Sequence, residues 1–293
     1  MPVAGRLILA YHLGRLLHKE TAVLETAEVE AIHEMRVATR RLRSAMRIFR
    51  GYYRKDATRS FRLTLRELAE KLGEVRDLDV YREHILSHSD EQAPYARRGL
   101  RAYAKALAYR RGLMTDALHA WLESDAYAHF LTEFVKFLNS DSRDIQPASP
   151  YAPIRICDVL PSLVYAQWAA IRAYEPHVSS APSSALHLLR IEIKRLRYLL
   201  EAFTPILSDT CQIPINACKQ MQEFLGELQD SQVAVAFTEA HLDELAMGRR
   251  AVMAYRDQRA EQGAQLRQRV LEAWAAFNTL QMRQALALSM AHV

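Results

Sequence analysis

Residues 33–49 read HEMRVATRRLRSAMRIF, and residues 187–203 read HLLRIEIKRLRYLLEAF. Aligned without a gap, the two segments share histidine at the first position and a basic residue at the fourth, eighth, ninth and eleventh. Leucine stands at the tenth position and phenylalanine at the last. Further along each half, LGEVRD at 72–77 matches LGELQD at 225–230, and Arg66 falls opposite Lys219. Two matched motifs at nearly the same separation read as an internal duplication. Their apolar residues recur every three or four positions, the period of a helix with one face in a core.

The same period runs through nearly the whole chain, and alternating runs of Val, Ile and Thr are missing, so the fold class is all-α. Prolines gather near 147–161, 176–182 and 205–214, where helices stop. The polar stretch 139–153, with three prolines, reads as a linker. The expected organisation is an N-terminal bundle over 1–139, a linker over 140–153 and a C-terminal bundle over 154–293. Each has room for four helices, near 4–26, 31–54, 57–88 and 92–122, then 155–175, 184–207, 213–245 and 249–288. A short extra helix is expected near 125–138.

Composition excludes several classes. Half of the 293 residues are apolar, enough for a sizeable core. Three cysteines, Cys157, Cys211 and Cys218, show no CxxC spacing, so neither a disulfide framework nor a zinc knuckle is read, and a reducing cytoplasm is the expected location. The N-terminal apolar patch is interrupted by His12, Gly14 and Arg15 before it reaches signal-peptide length, and no stretch approaches a membrane span. P-loop, HExxH, GxSxG and dinucleotide-binding fingerprints do not appear.

Net charge is +5, unevenly distributed: residues 1–139 carry 24 Lys and Arg against 18 Asp and Glu, and residues 140–293 carry 15 against 16. At 100° per residue, His33, Arg36, Arg40, Arg43 and Arg47 fall within a sector of roughly 80°, with Arg50 and Arg54 close by. Met35, Ala38, Leu42, Ala45, Met46 and Phe49 take the opposite face. His187, Arg190, Lys194 and Arg197 form the second stripe. Arg41 and Arg195 lie off the stripes, about 80° from their histidines.

Like charges at helical spacing repel, and no Asp or Glu stands between residues 35 and 54. A polyanion neutralising the stripe explains this; pairing with Glu67, Glu70, Glu74 or Asp77 of a neighbouring helix is the structural alternative. Single-strand nucleic-acid grooves interleave aromatics for stacking, whereas these stripes hold no aromatic before Tyr52. Guanidinium forks suit phosphate oxygens. A nucleic-acid-binding protein using the same arginines and a scaffold for an acidic protein partner stay open as alternatives. No metal or other cofactor is expected, since His33 and His187 sit among cations, and His84 with His88 lacks a third ligand. Next to bound phosphate, His33 and His187 favour their protonated forms, so affinity should rise towards pH 6. Gly73 and Gly226, mid-helix, are read first as close helix approaches.

The repeated histidine–arginine string and the Leu-Gly element after it resemble the CHAD family, the conserved histidine α-helical domain, over nearly the whole chain. The resemblance implies two four-helix bundles related by pseudo-two-fold symmetry and a non-catalytic module that binds inorganic polyphosphate in a basic channel lined from both halves. Phosphate or sulfate ions would fit the same site; nucleic acid and membranes are not implied as partners, and association with polyphosphate granules is. The carry-over falls on His33, Arg36, Arg40, Arg41, Arg43, His187, Arg190, Lys194, Arg195 and Arg197. Stripe geometry adds Arg47, Arg62, Arg66, Arg76 and Lys219. Gln229 where Arg76 stands, and Glu201 where Arg47 stands, suggest that the first half carries more of the binding. The CYTH triphosphate-processing domain often fused to this family is a β-barrel with an ExExK motif; Glu28-Val29-Glu30 lacks the lysine, so hydrolase activity is not implied.

Overall fold

The computed structural model describes residues 1–140, 142–147, 149, 152–242, 248–291 and 293. It divides the chain into two compact units, Met1–Ala152 and Pro153–Val293, and among the described residues every regular element is helical. The fold is all-α.

The first unit comprises α1 (Pro2–Glu25), α2 (Val29–Ile48), α3 (Lys55–Asp90), α4 (Pro94–Leu122) and the shorter α5 (Asp125–Asn139). Helix α3 contributes Leu65, Leu68, Leu72 and Val75 to the core, each wholly buried. At the helix period these lie on one side, which leaves Arg62, Arg66 and Arg76 towards solvent. Helix α5 closes the unit with Phe130, Phe134 and Phe137; Phe134 stacks on Phe61 at 4.8 Å and Phe137 meets Tyr53 edge-on at 5.1 Å. Burying each such ring stabilises by about 1.5–3 kcal/mol.

Helix α2 stops at Ile48, not at 54. Phe49 leaves the helical region and Arg50–Tyr52 forms a 3-10 turn. Tyr53 is then extended, forms an isolated antiparallel bridge with Ile145 and donates its hydroxyl to the Pro2 carbonyl at 2.7 Å. Arg50 and Arg54 therefore leave the helical stripe, and Arg54 pairs instead with Asp56 at 3.1 Å. The bridge also docks part of the expected linker against the α2–α3 connection, with Arg54 N bonded to the Asp144 carbonyl at 2.9 Å and Gln146 N to the Tyr52 carbonyl at 3.0 Å. Residues 141, 148, 150 and 151 of that linker lie outside the described residues.

The second unit comprises α6 (Ile156–Arg172), α7 (Ser183–Phe203), α8 (Gln212–His241), α9 (Arg249–Phe277) and α10 (Leu280–Ser289). Its core joins Val164 and Ile171 of α6, Leu189, Ile193 and Leu196 of α7, Leu225 of α8 and Val270 of α9. The last helix expected from the sequence breaks in two. Asn278 departs from helical geometry, and the Thr279 hydroxyl caps α10 by accepting from Met282 N at 3.1 Å. The expected end of α8, residues 243–245, lies outside the described residues. Gly248 opens α9 at φ 79°, a left-handed conformation that glycine adopts without a Cβ clash.

One device recurs in both units. Arg111 of α4 donates to the carbonyl of Ala27, between α1 and α2, at 2.6 Å, and Arg267 of α9 donates to the carbonyl of Ala181, just before α7. Ala27 and Ala181 occupy matching positions of the repeat.

Candidate polyanion-binding site

Helices α2 and α3 run antiparallel, so rising numbers on one meet falling numbers on the other. His33 thereby faces Arg76, and Arg43 faces Arg66 and Glu70. Burial lowers the His33 pKa first, and Arg76, Arg40 and Arg36 lower it further against a partial opposing effect of Glu30. Burial also pushes Arg43 below the usual guanidinium range; Glu70 offsets this in part and Arg66 adds to it. These shifts place His33, Arg36, Arg40 and Arg76 in one neighbourhood and Arg43 with Arg66 in the next, along one face of the unit.

Carboxylates neutralise part of this face. Arg36 pairs with Asp77 at 2.9 Å, and Arg66 with Glu70 of its own helix at 2.7 Å. Of the acids considered for the structural alternative, Asp77 pairs with the α2 stripe and Glu70 acts on Arg43, while Glu67 accepts from the Trp121 indole at 2.7 Å. Arg47 is exposed and reaches the Ser44 hydroxyl at 3.4 Å, while Arg62 folds back onto the Thr58 carbonyl at 3.3 Å. Arg40 is half-buried. Arg41 is exposed, but it lies on the α1 side of α2, away from the stripe.

The second unit repeats the placement with different charges. His187 bonds through Nδ1 to the Gln229 amide oxygen at 3.0 Å, so the side chain that replaces Arg76 takes the same position beside the repeat histidine. Arg190 lies against Gly226 and Lys194 is half-buried. Arg195 pairs with Glu192, and Arg197 pairs with Glu201 at 3.6 Å while stacking over the Tyr198 ring at 4.9 Å. With its side chain 17% exposed, Arg197 is withdrawn from the solvent face. Lys219 is exposed on α8.

The expectation of close helix approach at the two glycines fails. A Cβ at Gly226 would meet the Arg190 guanidinium at 3.4 Å, and one at Gly73 would meet nothing within 4 Å. Gly226 makes room for an arginine; Gly73 faces open space. Gly73→Ala is therefore expected to stabilise the protein by about 1 kcal/mol through helix propensity, read as a rise in the denaturant midpoint. An unchanged or lower midpoint would refute this account of Gly73.

Reasoning from sequence missed a third basic group. On α1, His12, Arg15 and Lys19 share the face that meets α2, and with Arg41 and His33 they line a cavity of about 310 Å³. The spacing of three and four residues was a signal for it. Among the described residues no group of three or more His, Cys, Asp or Glu could hold a metal ion, and no helix is long and apolar enough to cross a membrane.

The sequence matches the CHAD domain over residues 7–239. Two uncharacterized proteins of Mycobacterium tuberculosis, from strains H37Rv and CDC 1551, are each 29% identical over 214 residues, covering 70% of this chain and 39% of their own length. The chain thus spans well under half the length of these curated relatives. Among solved structures, PptA from Streptomyces chartreusis is similar with a TM-score of 0.73 at 15% identity, covering 93% of this chain and 98% of that one. The CHAD domain from the plant Ricinus communis is similar with a TM-score of 0.66 at 24% identity, covering 97% and 90%. These likenesses concern the fold, while the sequence match takes in both histidine–arginine strings and both Leu-Gly elements: the chain belongs to the CHAD domain family.

Proposed function

We propose that this protein binds inorganic polyphosphate without chemically changing it, chiefly along the α2–α3 face of the first unit, with the α7–α8 face of the second as a weaker counterpart. The observation that carries this reading is the row in which His33, Arg36, Arg40 and Arg43 on α2 meet Arg76 and Arg66 on α3. An extended phosphate chain offers oxygens at short, regular intervals and no bases, which suits guanidinium and imidazole donors unaccompanied by aromatic rings. A cytoplasmic location with association with polyphosphate granules follows from the same reading.

The test is competition. Long-chain polyphosphate should displace single-stranded RNA at equal phosphate concentration, and the reverse displacement should be poor. If RNA prevails, the arginines serve a nucleic acid. Binding should also weaken steeply with added salt as counterions are released.

Affinity should rise as pH falls from about 8 to 6. Free His33 has its pKa below the ordinary imidazole value, and phosphate oxygens beside it raise that pKa in the complex. Affinity is then constant above the bound-state pKa, climbs as pH drops through it, and levels off below the free-state pKa, gaining at most about tenfold per pH unit for this one proton. Fluorescence anisotropy at constant ionic strength reads the profile, and His33→Gln should flatten it. A profile unchanged by that substitution would mean His33 takes up no proton on binding.

A further inference from the structure

We propose that the α1–α2 cavity of the first unit is a separate pocket for a compact phosphate group, a diphosphate or the terminal phosphate of a chain, held by His12 and Arg15 of α1 with Arg41 of α2. The cavity measures about 310 Å³, room enough for a diphosphate. Arg15 makes no hydrogen bond or ion pair among the described residues, although it lines the cavity. Two carboxylates share the lining: Glu34 is engaged by Lys19 at 2.8 Å and also feels the charge of Arg15, and Glu30 acts on His33. His12 is held neutral, its pKa lowered to about 4 by burial, then by Arg41 and Arg15. A protein that surrounds an imidazole with two guanidinium groups at a cavity wall creates a positive field, which an oxyanion relieves.

Comparison of the two repeats strengthens the assignment. With the buried Leu9, Leu13 and Leu16 of α1 set against the buried Val164, Trp168 and Ile171 of α6, the uncharged Gln167, Ala170 and Tyr174 stand in place of His12, Arg15 and Lys19. Position 38 is alanine and lines the cavity, whereas its counterpart is Glu192, which accepts from both Arg195 and the Gln167 amide. In the second unit a carboxylate of the chain itself occupies the arginine's partner position. In the first unit that place is vacated by Ala38, and α1 supplies extra cations around it. The α1 residues also lie outside both stripes, and His33 is the one member of the row on α2 and α3 that also lines this pocket.

The source of the phosphate rests on the proposed function, whereas the pocket does not, and the experiment separates them. Diphosphate is titrated by calorimetry into the intact protein, Ala38→Glu, Arg15→Ala and the stripe double variant Arg40→Glu/Arg43→Glu. The expected result is one diphosphate per chain, bound about tenfold or more weakly by Ala38→Glu and by Arg15→Ala, and with little change by the stripe variant. Arg15→Ala alters an exposed residue and guards against misfolding of Ala38→Glu. Equal affinity in all four proteins, or no binding to the intact one, overturns the pocket. Loss of long-chain affinity in the stripe variant is a separate outcome that reports only on the α2–α3 face. Chains whose terminal phosphates are blocked as phosphoramidates identify the source: if Ala38→Glu weakens open chains but not blocked ones, the pocket takes chain ends, and if it weakens neither, it takes free diphosphate.

Discussion

Reversing Arg40 and Arg43 to glutamate is expected to lower affinity for long-chain polyphosphate about a thousandfold at low salt, because each change removes a charge-assisted bond and adds repulsion. The slope of log affinity against log salt should become shallower by about 0.7 for each phosphate contact removed. The matching substitution in the second unit, Lys194→Glu with Arg197→Glu, should cost about tenfold or less. Arg197 already faces Glu201, and Glu192 engages the neighbouring Arg195, so less positive charge is available there to lose. The asymmetry between the two experiments is the informative quantity. Equal losses would mean that the carboxylates of the second unit release their arginines to the ligand, and that both faces bind alike.

The charge difference behind this expectation was partly legible in the sequence. Glu201 opposite Arg47 and Gln229 opposite Arg76 already marked the second repeat as weaker, and Gln229 indeed takes the place of Arg76 beside the histidine. The period of the apolar residues located the long helices to within a few positions. It overran at Ile48, where Phe49 and Tyr53 turn into the core and end α2, and at Phe277, where one threonine cap starts a new helix inside an unbroken apolar pattern. Both endings depend on tertiary burial or a single hydroxyl, which a periodic pattern does not register. His12 and Arg15 were visible only as interruptions of an apolar run. Their meaning depends on which face of α1 meets α2, and that is set by the packing of Leu9, Leu13 and Leu16 on the adjoining face, about 90° round the helix. Asp79 and Arg111 gave no signal either, since each looks like one more charge on a solvated helix until folding buries the carboxylate.

Arg111→Ala should destabilise the first unit by about 3–5 kcal/mol, the range for stripping the partner from a buried charge. The Asp79 side chain is only 4% exposed, and its carboxylate accepts from Arg111 Nε at 2.7 Å. The same guanidinium satisfies the Ala27 carbonyl at 2.6 Å, and Ala27 is held at φ 47°, a left-handed conformation that costs a non-glycine residue about 1–2 kcal/mol. One arginine thus compensates a buried anion and anchors the strained turn between α1 and α2. Replacing Asp79 and Arg111 together by Leu and Met should recover part of the loss, because no charge is then stranded, but not all of it, because the Ala27 carbonyl loses its donor. Arg267→Ala provides the internal control. Arg267 holds the equivalent Ala181 carbonyl, but position 232 is glutamine where the first unit has Asp79, and that amide bonds Ser183 at 2.8 Å. Its loss should cost only about 1–2 kcal/mol, the scale of a hydrogen bond without a buried ion. Denaturant unfolding followed by hydrogen exchange resolves the units, with protection in α1 and α2 falling first in Arg111→Ala. Because this turn fixes how α1 lies along α2, the same variant should lose diphosphate binding before it loses affinity for long chains, whereas simultaneous loss of both would mean that α1 does not move independently of the α2–α3 face.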